Sequence, residues 1–517
     1  MFWPFLESMP DNFLKAALAR REFVCSAELV LGRDHTVAEA EAFVRDASRD
    51  MGPIRVISLT DLPGGNPALP PEAFAARVLA LDLTPVVHLS GKDGNRSLIE
   101  ARLHSLAHLG VENVLALTGD AQKDGFQGRA KPVHDLDSAL ILALVEALRG
   151  GLEYRLGARA VRTSPFDFFP GAVVNPFKLS EPDLMMQLYK MRLKIALGAR
   201  FLITQAGFNL RKLAELKQYM EREGLAATPV LANVYVPTPT VARMMQSGEL
   251  AGCVVSADFV RRIEGEKKPQ RLERAALMVA AVKDLGFAGA HIGGFGLVYK
   301  DFMTILDRAS AIGSAWRSRL EDLVFACPGE FYLLPAGADG LSDATGSYQA
   351  GLHKRHPRFF ERLSRTAHRR LIAPDTLVAR FLAKRLTGGL WPRLLGASLL
   401  YRKATLGCQS CGDCIQDHLS YAGCSMRWCY KELRNGPCGG SRVDGTCEAR
   451  PELPCLWNVV YEAALALGED PARFARTLIP PRDWSLDRTN ALVNRFAGTD
   501  NLSKRTSLTE RTNVTDR

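Results

Sequence analysis

The sequence predicts an α/β protein: a (β/α)8 TIM barrel followed by a small cysteine-rich metal-binding domain. Two observations carry this. Up to Gly293, eight short β-rich runs alternate with amphipathic stretches of helical period. Beyond that rhythm, eight of the 11 cysteines fall between Cys408 and Cys455.

The eight strands are expected at Phe23–Leu29, Arg55–Thr60, Pro85–Leu89, Asn113–Thr118, Phe168–Asn175, Phe201–Gln205, Pro229–Val234 and Gly289–Gly293. Helices are expected between them at Thr36–Arg49, Pro71–Leu81, Ser97–Leu109, Leu136–Leu148, Asp183–Leu197 and Leu210–Glu223. In Ser97–Leu109, Ile99, Leu103, Leu106 and Leu109 recur at helical spacing. Ala158–Thr163 competes with Phe168–Asn175 for the fifth strand. A doubly wound sheet is the runner-up, but it uses fewer strands and often a glycine-rich first turn; no G-x-G-x-x-G follows an early strand here. Past Trp316 the alternation stops. Glu321–Gln349 reads as loops with a short strand at Phe331–Leu334, and His353–Lys403 as a basic helical connector. The cysteine module closes with a helix near Val459–Leu467, and the polar tail Ala497–Arg517 reads as disordered. The chain thus divides into a barrel (1–316), a connector (317–405), a cysteine-rich domain (406–470) and a C-terminal extension (471–517).

The 517 residues are 47% hydrophobic and 24% charged, which is ordinary globular composition and excludes a wholly disordered, collagenous or membrane-embedded chain. Pro4, Glu7 and Asp11 interrupt the apolar residues of the N-terminus, so no secretory leader is expected. No run of about 18 apolar residues predicts membrane insertion. A cytoplasmic location follows, where clustered cysteines more often bind metal than pair with one another. The net charge of +10 is concentrated: His353–Lys403 holds 13 lysines and arginines against only Glu361 and Asp375. Its basic residues are not interleaved with aromatics, so nucleic acid is not the expected partner. A solvated helical face, or a dock for an acidic protein electron donor, suits it better.

In a barrel the active site lies at the C-terminal strand ends. Those ends carry Glu28, Thr60-Asp61, His88, Thr118-Gly119-Asp120, Asn175, Thr204-Gln205 and His291. Glu28 follows an apolar run, where an unpaired carboxylate would be costly. Asp120 alone could be a helix cap, and His88 or His291 alone a structural histidine. Their convergence on one rim favours function for all of them.

Cys408-x2-Cys411-x2-Cys414, with Cys424, Cys429, Cys438, Cys447 and Cys455, supplies thiols for two four-cysteine sites, and the glycines among them allow tight turns. The spacing favours iron–sulfur clusters, with zinc the alternative and structural disulfides the least favoured.

These residues resemble the methylenetetrahydrofolate reductases. The likeness lies in Val24–Glu28, Ile57–Thr60, Pro85–Leu89, Ala116–Asp120, Asn175-Pro176 and Gly198–Gln205, in that order and spacing. It implies a flavin-bearing barrel that reduces 5,10-methylenetetrahydrofolate to 5-methyltetrahydrofolate. Glu28 matches the general acid that helps open the imidazolidine ring, which needs a carboxyl held protonated near neutral pH; an apolar strand end would raise its pKa. Asp120 matches a carboxylate beside flavin and pterin, and Gln205 a folate-orienting amide. Thr60, His88, Gly119, Asn175 and Lys194 match flavin-contacting positions. The chain departs from the family pattern at Leu29–Gly32, Asp61, Thr118 and Asn175-Pro176-Phe177. These departures bear on FAD against FMN and on whether NAD(P)H reduces the flavin directly.

The runs CQSCGDC, CSMRWCYKELRNGPCGGSR, GTCE and PELPCLW resemble the C-terminal cysteine domain of one branch of that family. That likeness implies an iron–sulfur relay delivering electrons to the barrel flavin. The expected partners are therefore a folate substrate and either NAD(P)H or a protein donor docking near the basic connector; self-association of the chain stays open. Two competing readings are a pterin-dependent methyltransferase barrel without flavin and a non-catalytic iron–sulfur or zinc scaffold.

Overall fold

The structure is a computed structural model and describes residues 12–33, 35–352, 354–372, 376–378, 381 and 391–501. Eight parallel strands close into a barrel: β1 (Val24–Leu29), β2 (Ile54–Leu59), β3 (Thr84–Ser90), β4 (Asn113–Leu117), β5 (Phe169–Val174), β6 (Phe201–Thr204), β7 (Val230–Tyr235) and β8 (Gly289–Gly293). Each strand pairs with its neighbours in sequence, and β8 closes on β1.

The period of two along each strand decides what faces where. One set of side chains, including Ala27, Ile57, Val87, Val114, Ala172, Leu202, Ala232 and Ile292, packs outward against the helical layer. The other set forms an inner core of Val24, Val56, Val86, Leu115, Phe201, Ile203 and Leu231. Helix α1 (Phe13–Ala19) joins that inner core with Leu14, Ala17 and Leu18. Gly171 is required there: a Cβ would lie 2.3 Å from the Phe201 ring. Two residues further along β1, β2, β3, β7 and β8 the same face turns polar, with Ser26, Ser58, His88, Asn233 and His291 all buried. The barrel is thus filled with hydrocarbon at one end and hydrogen-bonding groups at the other.

The fifth strand is Phe169–Val174. The competing segment pairs as Arg159–Arg162 with Glu153–Leu156 in an exposed hairpin outside the barrel, because its two arginines have no apolar partner face to bury. No strand forms at Phe331–Leu334, whose backbone groups bond to the Leu179 carbonyl, the Gln349 N–H and side chains of a barrel helix. Glu215 of helix α7 (Leu210–Arg222) accepts from the Leu334 N–H at 2.9 Å, and Lys212 donates to the Phe331 carbonyl.

In the basic connector a helix spans Phe359–Ala367 and another Trp391–Leu406. Of the polar tail, residues 502–517 lie outside the described residues. Among the described residues no helix is long and apolar enough to cross a membrane. The helix Leu456–Ala466 packs on barrel helix α6 (Glu181–Ala196): Trp457, Val460 and Tyr461 share one continuous core with Leu184, Leu188 and Tyr189. Buried polar clasps reinforce this contact. Lys178 Nζ donates to the Ser441 carbonyl at 2.9 Å, and Ser441 Oγ donates to Asp183 at 2.7 Å. Lys190 donates across the contact to the Gly436 carbonyl at 3.4 Å and pairs within the barrel with Asp137 at 2.9 Å, which also caps helix α5 (Ser138–Arg149).

Candidate active site at the barrel mouth

The polar ends of the strands open into one cleft of about 1130 Å³, counting its mouth. Glu28, Thr60, His88, Gly119, Asp120, Asn175, Lys194 and Gln205, the barrel residues singled out from sequence, all line it. The topology makes this possible: β8 lies beside β1, so His291 pairs in register with Ser26 and Asn233 with His291.

Glu28 does not sit alone in an apolar wall. His291 Nε2 is 3.2 Å from Glu28 Oε2, and its Nδ1 is hydrogen-bonded to Ser26 Oγ at 2.8 Å. His88 Nε2 bonds Ser58 Oγ at 2.8 Å. Burial pushes the Glu28 carboxyl up, but the His291 hydrogen bond and the nearby imidazoles outweigh it, leaving the pKa below its ordinary value. The expectation of a raised Glu28 pKa is therefore reversed by a partner 263 residues away. Burial lowers the His88 pKa to about 4, so that ring is neutral at pH 7. The ligating atoms of Glu28, His88 and His291 lie within 4.8 Å of one another, a spacing that would also suit a cation. Both ring nitrogens of His291 are already engaged, which suits proton sharing instead.

Asp120 is a cleft carboxyl whose proton affinity is raised, as is that of Asp61. Burial and the neighbouring Glu448 lift its pKa to about 6 against the pull of Lys431, Lys92 and Lys123. It follows Gly119, whose φ of +86° and lack of space for a Cβ (Ser90 Oγ would be 2.1 Å away) require glycine. Lys194 reaches from α6 to donate to the Val173 carbonyl at 2.6 Å, and burial lowers its pKa to about 7. Thr60 and Asn175 are tied into the scaffold: Thr60 Oγ1 accepts from the Leu31 N–H at 3.1 Å, and the Asn175 amide bridges Gly252 and Phe177. Gln205 Oε1 accepts from the Ala206 N–H at 3.1 Å.

Two functional candidates escaped the sequence reading. Gln187 Nε2 and Asn233 Oδ1 are buried in residues only 6% and 8% exposed, line the cleft and have no hydrogen-bond partner. Asn233 was within reach: it lies two residues beyond the inward Leu231 and had to point inside. Gln187 lies on a helix mixed with apolar residues and gave no signal. A free donor, a free acceptor and a buried cation fit the polar edge of a planar heterocycle such as an isoalloxazine or a pterin.

The eight C-terminal cysteines separate into two groups. Cys408, Cys411, Cys414 and Cys424 surround a small cavity with Arg402, whose Nη2 donates to Cys414 Sγ at 2.6 Å. Cys429, Cys438, Cys447 and Cys455 form the second group through their mutual electrostatic influence. Ser410 and Gly440 give N–H groups to Cys408 and Cys438 Sγ. Burial raises the Cys411 and Cys429 thiols to about 12. No disulfide forms among the described residues. Thiols with N–H donors beside them are the donor type that zinc and iron–sulfur clusters take, but among the described residues no three of these sulfurs lie within 4.8 Å of one another. Cys438 also lines the barrel cleft.

The family described as methylenetetrahydrofolate reductase matches residues 14–292, and the one described as methylene-tetrahydrofolate reductase C terminal matches residues 393–485. No curated protein matches the chain. Among solved structures, the chain resembles a Clostridium thermocellum protein described as uncharacterized and binding two copies of 5-methyl-5,6,7,8-tetrahydrofolic acid. Identity is 14% and TM-score 0.39, over 58% of this chain and 99% of that one. It also resembles the long-chain alkane monooxygenase LadA, at 10% identity and TM-score 0.36, over 60% and 93% of the two chains.

Proposed function

Because the chain belongs to the methylenetetrahydrofolate reductase family, we propose that its barrel cleft reduces 5,10-methylenetetrahydrofolate to 5-methyltetrahydrofolate. The observation that carries the reading is the gathering of Glu28, His88, Asp120, Lys194 and Gln205 into one cleft that Cys438 also lines. A bound flavin would supply the hydride, with Thr60, His88, Gly119, Asn175 and Lys194 as its holders. The thiol groups, loaded with iron–sulfur clusters or zinc, would supply an electron path or a structural staple respectively.

The chain's own residues do the rest. Glu28 and His291 share a proton between Oε2 and Nε2, and Ser26 fixes the ring from behind. Transfer of a proton from this pair to a substrate ring nitrogen lets the adjacent C–N bond break, leaving an iminium carbon ready for hydride. Glu28 need not hold its proton permanently, since His291 can resupply it. Asp120 and the Asn233 carbonyl oxygen accept from the N–H groups of the pterin edge, and Gln205 orients the same ring. Arg402 links the first thiol group to the basic helix Trp391–Leu406, and Cys438 brings the second to the cleft. Electrons from an acidic protein donor would therefore enter at the connector and leave beside the barrel; direct reduction by NAD(P)H is the competing source. A cytoplasmic setting would keep these thiols reduced.

The test is anaerobic purification, with the visible spectrum, iron, sulfide and zinc recorded together, followed by reduction of the protein with dithionite and its reoxidation by methylenetetrahydrofolate. Flavin absorbance that bleaches on reduction and returns with the folate supports the assignment. Failure to take up flavin on reconstitution, with 5-methyltetrahydrofolate still bound, overturns it in favour of pterin-dependent methyl transfer.

A further inference from the structure

Lys431 belongs to the cysteine module yet lines the barrel cleft, and it is 3% exposed. A buried ammonium persists only where its hydrogens are taken up. Its Nζ donates to the Gly119 carbonyl at 2.6 Å and pairs with Glu448 of the module. The Gly119 carbonyl belongs to the left-handed turn that carries Asp120, so a residue from beyond the barrel pins the turn on which a cleft carboxyl sits.

The surrounding contacts give the same direction. Next to Lys431, Tyr430 OH donates to Gln122 Oε1 at 3.3 Å, and Gln122 in turn donates to Asp93 at 2.8 Å. On the other side of the mouth, Gly252 lies so close to the module that a Cβ there would be 2.7 Å from the Gly439 carbonyl. The segment from Tyr430 to Gly440 therefore bridges the cleft from the loop after β4 to the segment between the helices Pro239–Gln246 and Ala257–Gly265 that follow β7.

We propose that Lys431 is a positioning residue supplied by the C-terminal module, which fixes the Gly119–Asp120 turn so that Asp120 faces the pterin of the substrate. This rests on the folate reading of the cleft. The barrel alone would then hold an incomplete site: Asp120 would be present but not held in register with Glu28 and Asn233.

The test is a double-mutant cycle in the full-length, metal-loaded protein, read by 5-methyltetrahydrofolate binding in calorimetry, with metal content and thermal midpoint measured on every variant. Lys431→Met is expected to weaken binding about tenfold with metal content unchanged. In an Asp120→Asn background the same substitution is expected to cost less than about twofold, because Lys431 acts through Asp120. Lys431→Arg should recover part of the loss. Equal losses in both backgrounds, whether from general destabilisation or from metal loss, overturn the proposal, as does native-like binding by Lys431→Met. A native protein that binds no 5-methyltetrahydrofolate overturns the folate reading and this proposal with it.

Discussion

Replacing Glu28 with glutamine isolates the proton chemistry of the cleft from its shape. The amide keeps the volume of the carboxylate and one oxygen facing His291 Nε2, now 3.2 Å from Glu28 Oε2, so the ring stays held between residue 28 and Ser26. What disappears is the group able to take a proton from His291 and give it to substrate. Loss of a positioned general acid costs about 10²- to 10⁴-fold in rate, or about 2.7 to 5.5 kcal/mol of barrel-mouth transition-state stabilisation. Stability should change little, because the substitution removes a buried charge whose ionised form was supported mainly by that one bond. The assay is a single turnover of prereduced enzyme with methylenetetrahydrofolate, beside direct binding of 5-methyltetrahydrofolate. Glu28→Gln should reduce normally and bind folate within about threefold of native, while reoxidation by substrate slows by at least about a hundredfold. A native single-turnover rate would remove Glu28 from the proton path. An equal loss in binding would show that it holds the ligand instead.

Three further outcomes follow from the same geometry. The Asp120 pKa of about 6 lies above its unfolded value, so between about pH 4 and 6 the folded state binds more protons than the unfolded one, and stability falls as pH rises through that window; urea titrations across it should show the slope, and Asp120→Asn should flatten it. Asn233→Ala removes an unpartnered buried carbonyl oxygen, so the unliganded protein should be as stable as native or slightly more so, while 5-methyltetrahydrofolate affinity falls about tenfold; lowered stability with native affinity would contradict a binding role. Cys411→Ala and Cys447→Ala should each remove one of two metal centres, each leaving about half the metal measured by elemental analysis; if either removes all of it, the cysteines form a single unit.

The barrel was legible because its signal is local and repeated. Every expected barrel strand appears with its ends shifted by at most one residue, since alternation along a strand and a polar residue at its end are properties of a few consecutive positions. The site residues were legible for the same reason: strand ends in a barrel converge wherever they lie in sequence. The pKa order of the two carboxyls was not. Burial raises both, but His291 turns Glu28 downward while Glu448 lifts Asp120 further; each partner is supplied by chain closure over hundreds of residues, and nothing around Glu28 or Asp120 announces them. The absent strand at Phe331–Leu334 failed likewise, because its backbone groups bond to Leu179 and Gln349 and to the side chains of Glu215 and Lys212 rather than to a neighbouring strand.

The cysteine module is part of the same folded unit as the barrel, and the energetics of the contact say why. Trp457, Val460 and Tyr461 are buried against α6, and each large apolar side chain so placed contributes about 1.5 to 3 kcal/mol. Lys178, Asp183 and Ser441 form a buried polar cluster across the same contact. Such groups are costly to bury unless matched, so they fix the docking geometry more than they strengthen it. The apolar contact supplies the affinity and the polar cluster supplies the register. Register is what the cleft needs, since Lys431 and Cys438 reach it only if the module sits at one angle on α6. A module tethered by the connector alone would bring thiols near the barrel without delivering a side chain to Gly119. The buried charges at this interface set that register, which apolar packing by itself would not fix.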